Sequence, residues 1–366
     1  VVSMILFVLL LFSYAALITQ LAFGISKMNK QNTIESTSPK TTFSIVVPFR
    51  NEAENLPLLL NSIEKLNYPT ELFEVILVDD ESQDKFQVSS FKFQVSVIQN
   101  IRKSNSPKKD AIETAIQTAK HNWIVTTDAD CEVPENWLAF FDTEIQNKKA
   151  KMCVGSVGYV FESGFLHDFQ NNDFLSLQGV TAGSFGIDKP FMCNGANFAY
   201  EKDFFEELNG FEGNNNLASG DDVFLLQKAL KAAPEKIAYL GNLNIVFTKS
   251  CDSWKALIHQ RVRWASKTSA YANWYPKILG IIVFLTNLSG LLLLVAPFYQ
   301  FELIKFTTYF WILKFGIDFM FLKFSAAYFR LPFKNFLSSF IVYPFFTILV
   351  VLKALFGKFE WKERRF

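Results

Sequence analysis

The sequence predicts an α/β domain with a mostly parallel, doubly wound sheet and membrane-spanning helices at both ends. Three observations carry this. From Phe43 onward, short apolar runs alternate with segments of helical spacing, the rhythm of βαβ units. Residues 1–25 contain no charged side chain. Beyond Tyr275 the chain turns into three long apolar stretches, 278–298, 303–324 and 336–356, each near the length that crosses a bilayer. Composition agrees: 50% of the 366 residues are hydrophobic and only 19% charged, against about 25% charged in an average soluble domain. That content excludes disorder as the main state. Lys+Arg 36 against Asp+Glu 35 leaves a formal net charge of +1, so no global field exists to hold nucleic acid, and no nucleic-acid partner is expected.

Taken in order, residues 1–25 form a transmembrane helix or a signal peptide. Their length and the lack of a basic stretch ahead of them favour an anchor. Lys27 and Lys30 follow it, so the positive-inside tendency directs the next segment to the cytoplasm. Residues 26–42 are polar and form a linker. Strands are expected over 43–48, 74–79, 95–99 and 123–128, with helices over 54–66, 108–120 and 134–146, the last starting on Pro134. The α/β domain thus occupies 43–255, an amphipathic interfacial segment 256–277, three membrane segments 278–356, and a basic tail 357–366. In the middle membrane segment Lys314 and Asp318 are one helical turn apart, and in lipid they must face each other or a protein neighbour. Three spans after a cytoplasmic domain would leave the basic tail outside, against the same positive-inside tendency. Four cysteines without CxxC spacing and three histidines exclude a zinc or disulfide scaffold and point to reduced thiols.

Four short motifs carry chemistry. Ile76-Leu77-Val78-Asp79-Asp80 is an apolar strand ending in two carboxylates, and strand ends are where ligands bind in α/β sheets. Asp128-Ala129-Asp130 leaves another strand with carboxylates two residues apart, a spacing that suits a divalent cation shared with substrate phosphates. Gly220-Asp221-Asp222 precedes a helical pattern, where the two acids are either caps of the orphan N–H groups or a general base. Gln260-Arg261-Val262-Arg263-Trp264 lies just before the membrane region, either as a basic interfacial segment or as a counter-charge for a leaving diphosphate.

In order and spacing these four motifs resemble the family-2 glycosyltransferases of GT-A fold, in particular the membrane-bound branch with the ceramide glucosyltransferases and the cellulose and hyaluronan synthases. The likeness opens at Ser44-Ile45-Val46-Val47-Pro48-Phe49-Arg50-Asn51-Glu52 and runs through Lys108-Lys109-Asp110-Ala111-Ile112 and Gly195-Ala196-Asn197 to Trp264, with a fainter echo in Trp361-Lys362-Glu363-Arg364-Arg365. It implies a Rossmann-like nucleotide-diphospho-sugar transferase fold. Pro48 and Glu52 would line the nucleotide pocket, with Asp79 and Asp80 at the base and ribose. Asp130 would bind Mg²⁺ or Mn²⁺, with Asp128 beside it toward the donor sugar or ribose, and Gln260, Arg263 and Trp264 would close over diphosphate and acceptor. Asp222 stands where the family has its catalytic base, but the triplet reads Gly-Asp-Asp rather than Thr-Glu-Asp, so Asp221 remains a second candidate. Lys108 and Lys109 stand where a Gly-Lys pattern is frequent. The implied reaction is inverting transfer from a nucleotide-sugar, UDP-sugar by default, to a lipid or lipid-linked glycan hydroxyl; the alternative is a processive polysaccharide synthase. The implied setting is a bacterial inner membrane with the catalytic domain toward the cytoplasm.

Overall fold

A computed structural model describes residues 2–30, 37–86, 90–214, 220–267, 271, 273–356, 360–361 and 364–365. Residues 31–36 of the linker, and 357–359, 362–363 and 366 of the basic tail, lie outside the described residues. The chain forms two compact units: an α/β unit of Gln31–Val160 and Phe191–Lys249, and a helical unit of Val1–Lys30, Phe161–Pro190 and Ser250–Phe366. Residues 161–190, which the sequence pattern leaves inside a continuous 43–255 domain, are thus part of the helical unit.

In the α/β unit, β1 (Phe43–Phe49) and β2 (Phe73–Asp79) are rich in Val and Ile and buried along almost their whole length, as strands covered on both faces must be. They pair in parallel from Phe43↔Phe73 to Phe49↔Asp79. β3 (Gln94–Gln99), with Gln and Ser between its valines, is half exposed and forms the edge. Helix α2 (Leu56–Glu64) buries Leu56, Leu59, Leu60 and Ile63, one stripe of a helix; each side chain of this kind contributes about 1.5–3 kcal/mol on full burial. Helix α3 (Pro107–Thr118) starts on a proline that needs no N–H partner and buries Ala111, Ile112, Ala115 and Ile116. Beyond these lie β4 (Trp123–Thr126), β5 (Cys131–Glu132), α4 (Trp137–Lys148), β6 (Met152–Tyr159), β7 (Phe198–Glu201), α6 (Lys202–Glu207), α7 (Asp221–Ala232) and β8 (Ile237–Thr248).

The eight strands are ordered β3-β2-β1-β4-β7-β6-β8-β5. Pairing is parallel from β3 to β4 and between β6 and β8, and antiparallel where β7 meets β4 and β6 and where β5 meets β8. The antiparallel β7 matters for the site. Its first residue, Phe198, sits opposite Thr126, so the turn before it reaches the edge where β1, β2 and β4 end. Two expectations need correction. β4 stops at Thr126, because Asp128 to Asp130 form a turn into β5, and α4 starts at Trp137, with Pro134 accepting the Trp137 N–H from outside the helix.

The helical unit contains α1 (Val2–Lys30), α5 (Phe165–Gly186), α8 (Trp254–Ser266), α9 (Trp274–Val295), α10 (Leu303–Phe329) and α11 (Phe336–Phe356). Among the described residues, three helical segments are long and apolar enough to cross a membrane: Met4–Asn29, Trp274–Phe298 and Phe336–Phe356. The middle C-terminal stretch is not among them, since α10 carries Lys305, Lys314, Asp318 and Lys323. Lys314 and Asp318 do face each other, at 2.6 Å, and the Tyr14 hydroxyl of α1 donates to the second Asp318 oxygen at 2.5 Å. α1 and α5 cross through glycine: a Cβ on Gly24 would lie 2.1 Å from the Gly183 carbonyl oxygen, and one on Gly186 would lie 2.0 Å from that of Gly24. α5 buries polar side chains around its whole circumference, and several of them find partners far along the chain. Asn171 donates to Pro332 O at 2.7 Å, Asn172 to Lys334 O at 2.8 Å, and Gln170 exchanges two hydrogen bonds with the Cys251 backbone. Cys131 and Cys153 are buried.

Candidate active site

The carboxyl ends of β1 and β2 are stitched together before either carries function. The Arg50 guanidinium donates to the carbonyls of Asp80 (2.6 Å) and Glu81 (2.9 Å), and the Asn51 side chain accepts from Gln83 N at 2.8 Å. Asn51 and Glu81 both adopt left-handed backbone, φ 54° and 61°, a conformation Asn tolerates better than most residues and Glu does not. Pro48 lies one residue before the end of β1, and Glu52 holds the entry to α2 by accepting from the Asn55 amide at 2.6 Å. Asp79 accepts Ser82 N at 2.9 Å and stays part exposed.

Asp80 is buried and works locally. Its Oδ1 accepts from Asn100 Nδ2 at 2.7 Å, and the same nitrogen donates to Pro107 O at 3.1 Å, which fastens the start of α3 to the end of β2. Arg102 lies between Asp80 (3.4 Å) and Asp110 (3.3 Å), and Asp110 also gathers the backbone N–H groups of Lys103 and Ser104. This loop fixes where Lys108 projects.

Lys108 is the centre of the site. Its Nζ lies 2.6 Å from Asp128 Oδ1 and 3.6 Å from Asp221 Oδ2. Burial alone would lower its pKa, but Asp128, then Asp221 and Asp222, outweigh that and hold the ammonium well above the ordinary lysine value. Asp222 is oriented by backbone: its Oδ2 accepts Gly195 N at 2.9 Å and its Oδ1 accepts Val223 N at 2.7 Å. Gly195 in turn accepts the Thr126 hydroxyl at 2.7 Å, and a Cβ there would meet Asp221 Oδ2 at 3.0 Å and Lys108 Nζ at 3.4 Å. Below Gly195, Asn197 is a fully satisfied amide, donating to Ser156 O and Asn244 O and accepting Trp137 Nε1. One cluster therefore joins Asp128, Lys108, Gly195, Asp221 and Asp222.

Asp130 follows in the same turn, part exposed, with the Cys131 Sγ 3.9 Å from its Oδ1. Burial, then Asp130 and Asp128, push the Cys131 thiol well up. Among the described residues no group of three His, Cys, Asp or Glu side chains could hold a metal ion. Lys109 points elsewhere, fully buried over the Phe224 ring with its Nζ donating to Asn214 O at 2.6 Å.

Gln260, Arg263 and Trp264 belong to the helical unit, on α8, which Ser253 caps by accepting Ala256 N at 3.2 Å. The most buried charge in that segment is Arg261, whose Nε lies 2.6 Å from Asp173 Oδ2. Sequence reasoning singled out Arg263 and passed over Arg261, Gly195 and Asn100. The first two stood inside quoted motifs, and Asn100 carried no local signal.

A Rossmann-like sheet with a charged cluster at its strand ends puts the candidate site where doubly wound α/β domains bind their ligands. Residues 44–208 match the family model Glycosyl transferase family 2, and over this stretch the chain is similar to that family. The match includes Pro48 through Asn197 of the site; Asp221, Asp222 and the α8 segment lie beyond it. Glycosyltransferase AglE of Haloferax volcanii is 25% identical over 199 residues, 54% of this chain and 64% of its own length. Probable glycosyltransferase YdaM of Bacillus subtilis is 24% identical over 241 residues, 61% of this chain and 54% of its own. Human dolichyl-phosphate beta-glucosyltransferase is 31% identical over 125 residues, 30% of this chain and 37% of its own. The chain thus spans less than two thirds of the length of these relatives. Among solved structures, the mannosyltransferase PcManGT of Pyrobaculum calidifontis, in complex with GDP-Man and Mn²⁺, gives a TM-score of 0.47 at 17% identity over 94% of this chain and 99% of that one. S. aureus TarS gives 0.43 at 17% identity over 66% and 42%.

Proposed function

We propose that this chain is a membrane-bound, inverting glycosyltransferase that moves a sugar from a nucleoside diphosphate, UDP in the first instance, to the hydroxyl of a lipid or lipid-linked acceptor. The observation that carries the reading is the cluster of Asp128, Lys108, Asp221 and Asp222 around Gly195, with Lys108, Asp128 and Gly195 inside the family-2 match. Pro48, Glu52, Asp79 and Asp80 occupy or brace the strand ends where the nucleotide would lie. Asp128 and Asp130 suit Mg²⁺ or Mn²⁺ in the chemistry of their donor set: two hard carboxylates two residues apart, which phosphate and water oxygens would complete around such an ion. When bound, that ion would offset charge on the departing diphosphate.

The chain's own residues do the rest. Lys108 neutralises the acidic cluster and presents a fixed cation to the phosphates. Asp222 is the base: two backbone N–H groups orient it, and it is more exposed than Asp221, which lies against the ammonium. As the acceptor oxygen bonds to the anomeric carbon, Asp222 takes the hydroxyl proton and the bond from that carbon to the diphosphate oxygen breaks. Gln260, Arg263 and Trp264 serve diphosphate and acceptor, as the family resemblance implies.

Three apolar helices support a membrane setting, and the name of the human relative, dolichyl-phosphate beta-glucosyltransferase, supports a lipid acceptor. Counting α1, α9 and α11 as the spans returns the basic tail to the side of Lys27 and Lys30, the cytoplasm under the positive-inside tendency. The test is a panel of UDP-glucose, UDP-galactose, UDP-N-acetylglucosamine and GDP-mannose offered to the full chain with membrane lipid extract, reading UDP or GDP release and product size. Single-sugar lipid products are expected, whereas a polymer would replace this reading with a processive synthase. Asp222→Asn should bind donor normally and transfer nothing; if Asp221→Asn does so instead, the two acids exchange roles.

A further inference from the structure

Helix α5 meets α8 through apolar and polar side chains together, and the polar ones form a row of their own. Gln170, Asp173 and Phe174 are spaced by three and four residues, so they line up on a single side. Gln170 pins the approach to α8 through both backbone groups of Cys251, at 2.9 and 2.8 Å. One turn on, Asp173 takes the Arg261 Nε at 2.6 Å with both side chains buried. The Arg261 guanidinium carbon lies 4.3 Å from the centroid of the Trp264 ring and 6.0 Å from that of Phe174, and the two rings are 5.8 Å apart. A further Arg261 N–H donates to the Gln260 side-chain oxygen. Arg261 is therefore in contact with two of the three residues to which the proposed function gives a role in transfer, and Asp173 fixes Arg261. Leu257 and Val262 of α8 are held by packing instead, against Phe169 of α5 and Phe346 and Val350 of α11.

We propose that Asp173, acting through Arg261, is a positioning residue for transfer: the pair sets the plane of the Trp264 indole and the direction of the Gln260 amide. This rests on the proposed role of the Gln260–Trp264 segment. The chemistry explains why an ion pair is used where packing alone would hold the helix. A guanidinium is flat and forked, so a carboxylate fixing its Nε fixes the plane of anything stacked on it, which an aliphatic side chain cannot do.

That difference makes the inference testable apart from stability. Replacing both members of a buried ion pair with apolar residues of similar volume commonly leaves a fold intact. The double variant Asp173→Leu/Arg261→Met should therefore melt near the wild type in detergent, yet lose about tenfold or more in kcat, the scale of a displaced orienting group, with donor KM changed by less than about threefold. Arg261→Lys keeps the charge opposite Asp173 and removes the flat group, so it should lose turnover likewise. Asp173→Glu should retain more turnover than Asp173→Asn. Assays use the full chain, the four sugar nucleotides above and membrane lipid extract, with Trp264→Ala alongside. An inactive Trp264→Ala with a fully active double variant or Arg261→Lys overturns the positioning role and leaves the function of the segment standing. A fully active Trp264→Ala overturns the reading of the segment itself. If the double variant fails to fold, Arg261→Lys decides.

Discussion

Gly195 shows how tightly single residues are constrained in this site. Its N–H orients Asp222, its carbonyl takes the Thr126 hydroxyl, and its missing Cβ leaves room for the Asp221 carboxylate and the Lys108 ammonium. Gly195→Ala should lower kcat by about tenfold or more through the displaced acid, while the melting temperature stays within a few degrees; a large stability loss with normal specific activity would contradict this. Asp79, Asp80, Asp128, Asp130, Asp221 and Asp222 were legible because acidic side chains directly follow apolar runs or open a helix. Lys108 was harder to weigh, since nothing local to the sequence separates it from Lys109. The structure separates them through the pitch of α3: Lys108 turns to Asp128, whereas Lys109 turns to the Asn214 carbonyl and Phe224.

Among elements, β1, β2, β3, α2 and α3 follow from hydrophobic periodicity to within a few residues, but α5 does not. A helix that buries His167, Asp168, Gln170, Asn171, Asn172 and Asp173 has no apolar stripe to detect. Its register instead comes from partners far along the chain and from glycine contacts with α1. Gly183→Leu should prevent close approach of α1 and α5, since backbone atoms stand where the side chain must go; a loss of more than about 3 kcal/mol is expected, read as loss of folded protein in detergent. His167 gives α5 a pH signature. Burial, against the opposing pull of Glu162 and Asp168, lowers its pKa below the ordinary 6.5. Just below that value the unfolded chain therefore holds more protons than the folded one. Stability is complete above pH 6.5 and declines as pH falls toward the lowered value. His167→Gln should flatten that decline in a series of melts across the range.

For the molecule as a whole, the order of sheet, site and apolar helices was readable, while the partition into units was not, because contacts rather than local patterns decide it. Its chemistry should depend on a divalent cation. Chelation should abolish nucleoside diphosphate release, added Mg²⁺ or Mn²⁺ should restore it, and Asp130→Ala should remain inactive after the addition.

The interleaving of the two units has a consequence for biosynthesis. The α/β unit is complete once residue 249 has been made. At that stage Asp173 has no Arg261, Asn171 has no Pro332 carbonyl and Asn172 has no Lys334 carbonyl. A nascent chain halted there would carry a finished sheet and a helix of unmet polar groups, so α5 is the segment where a truncated product should be recognised and degraded.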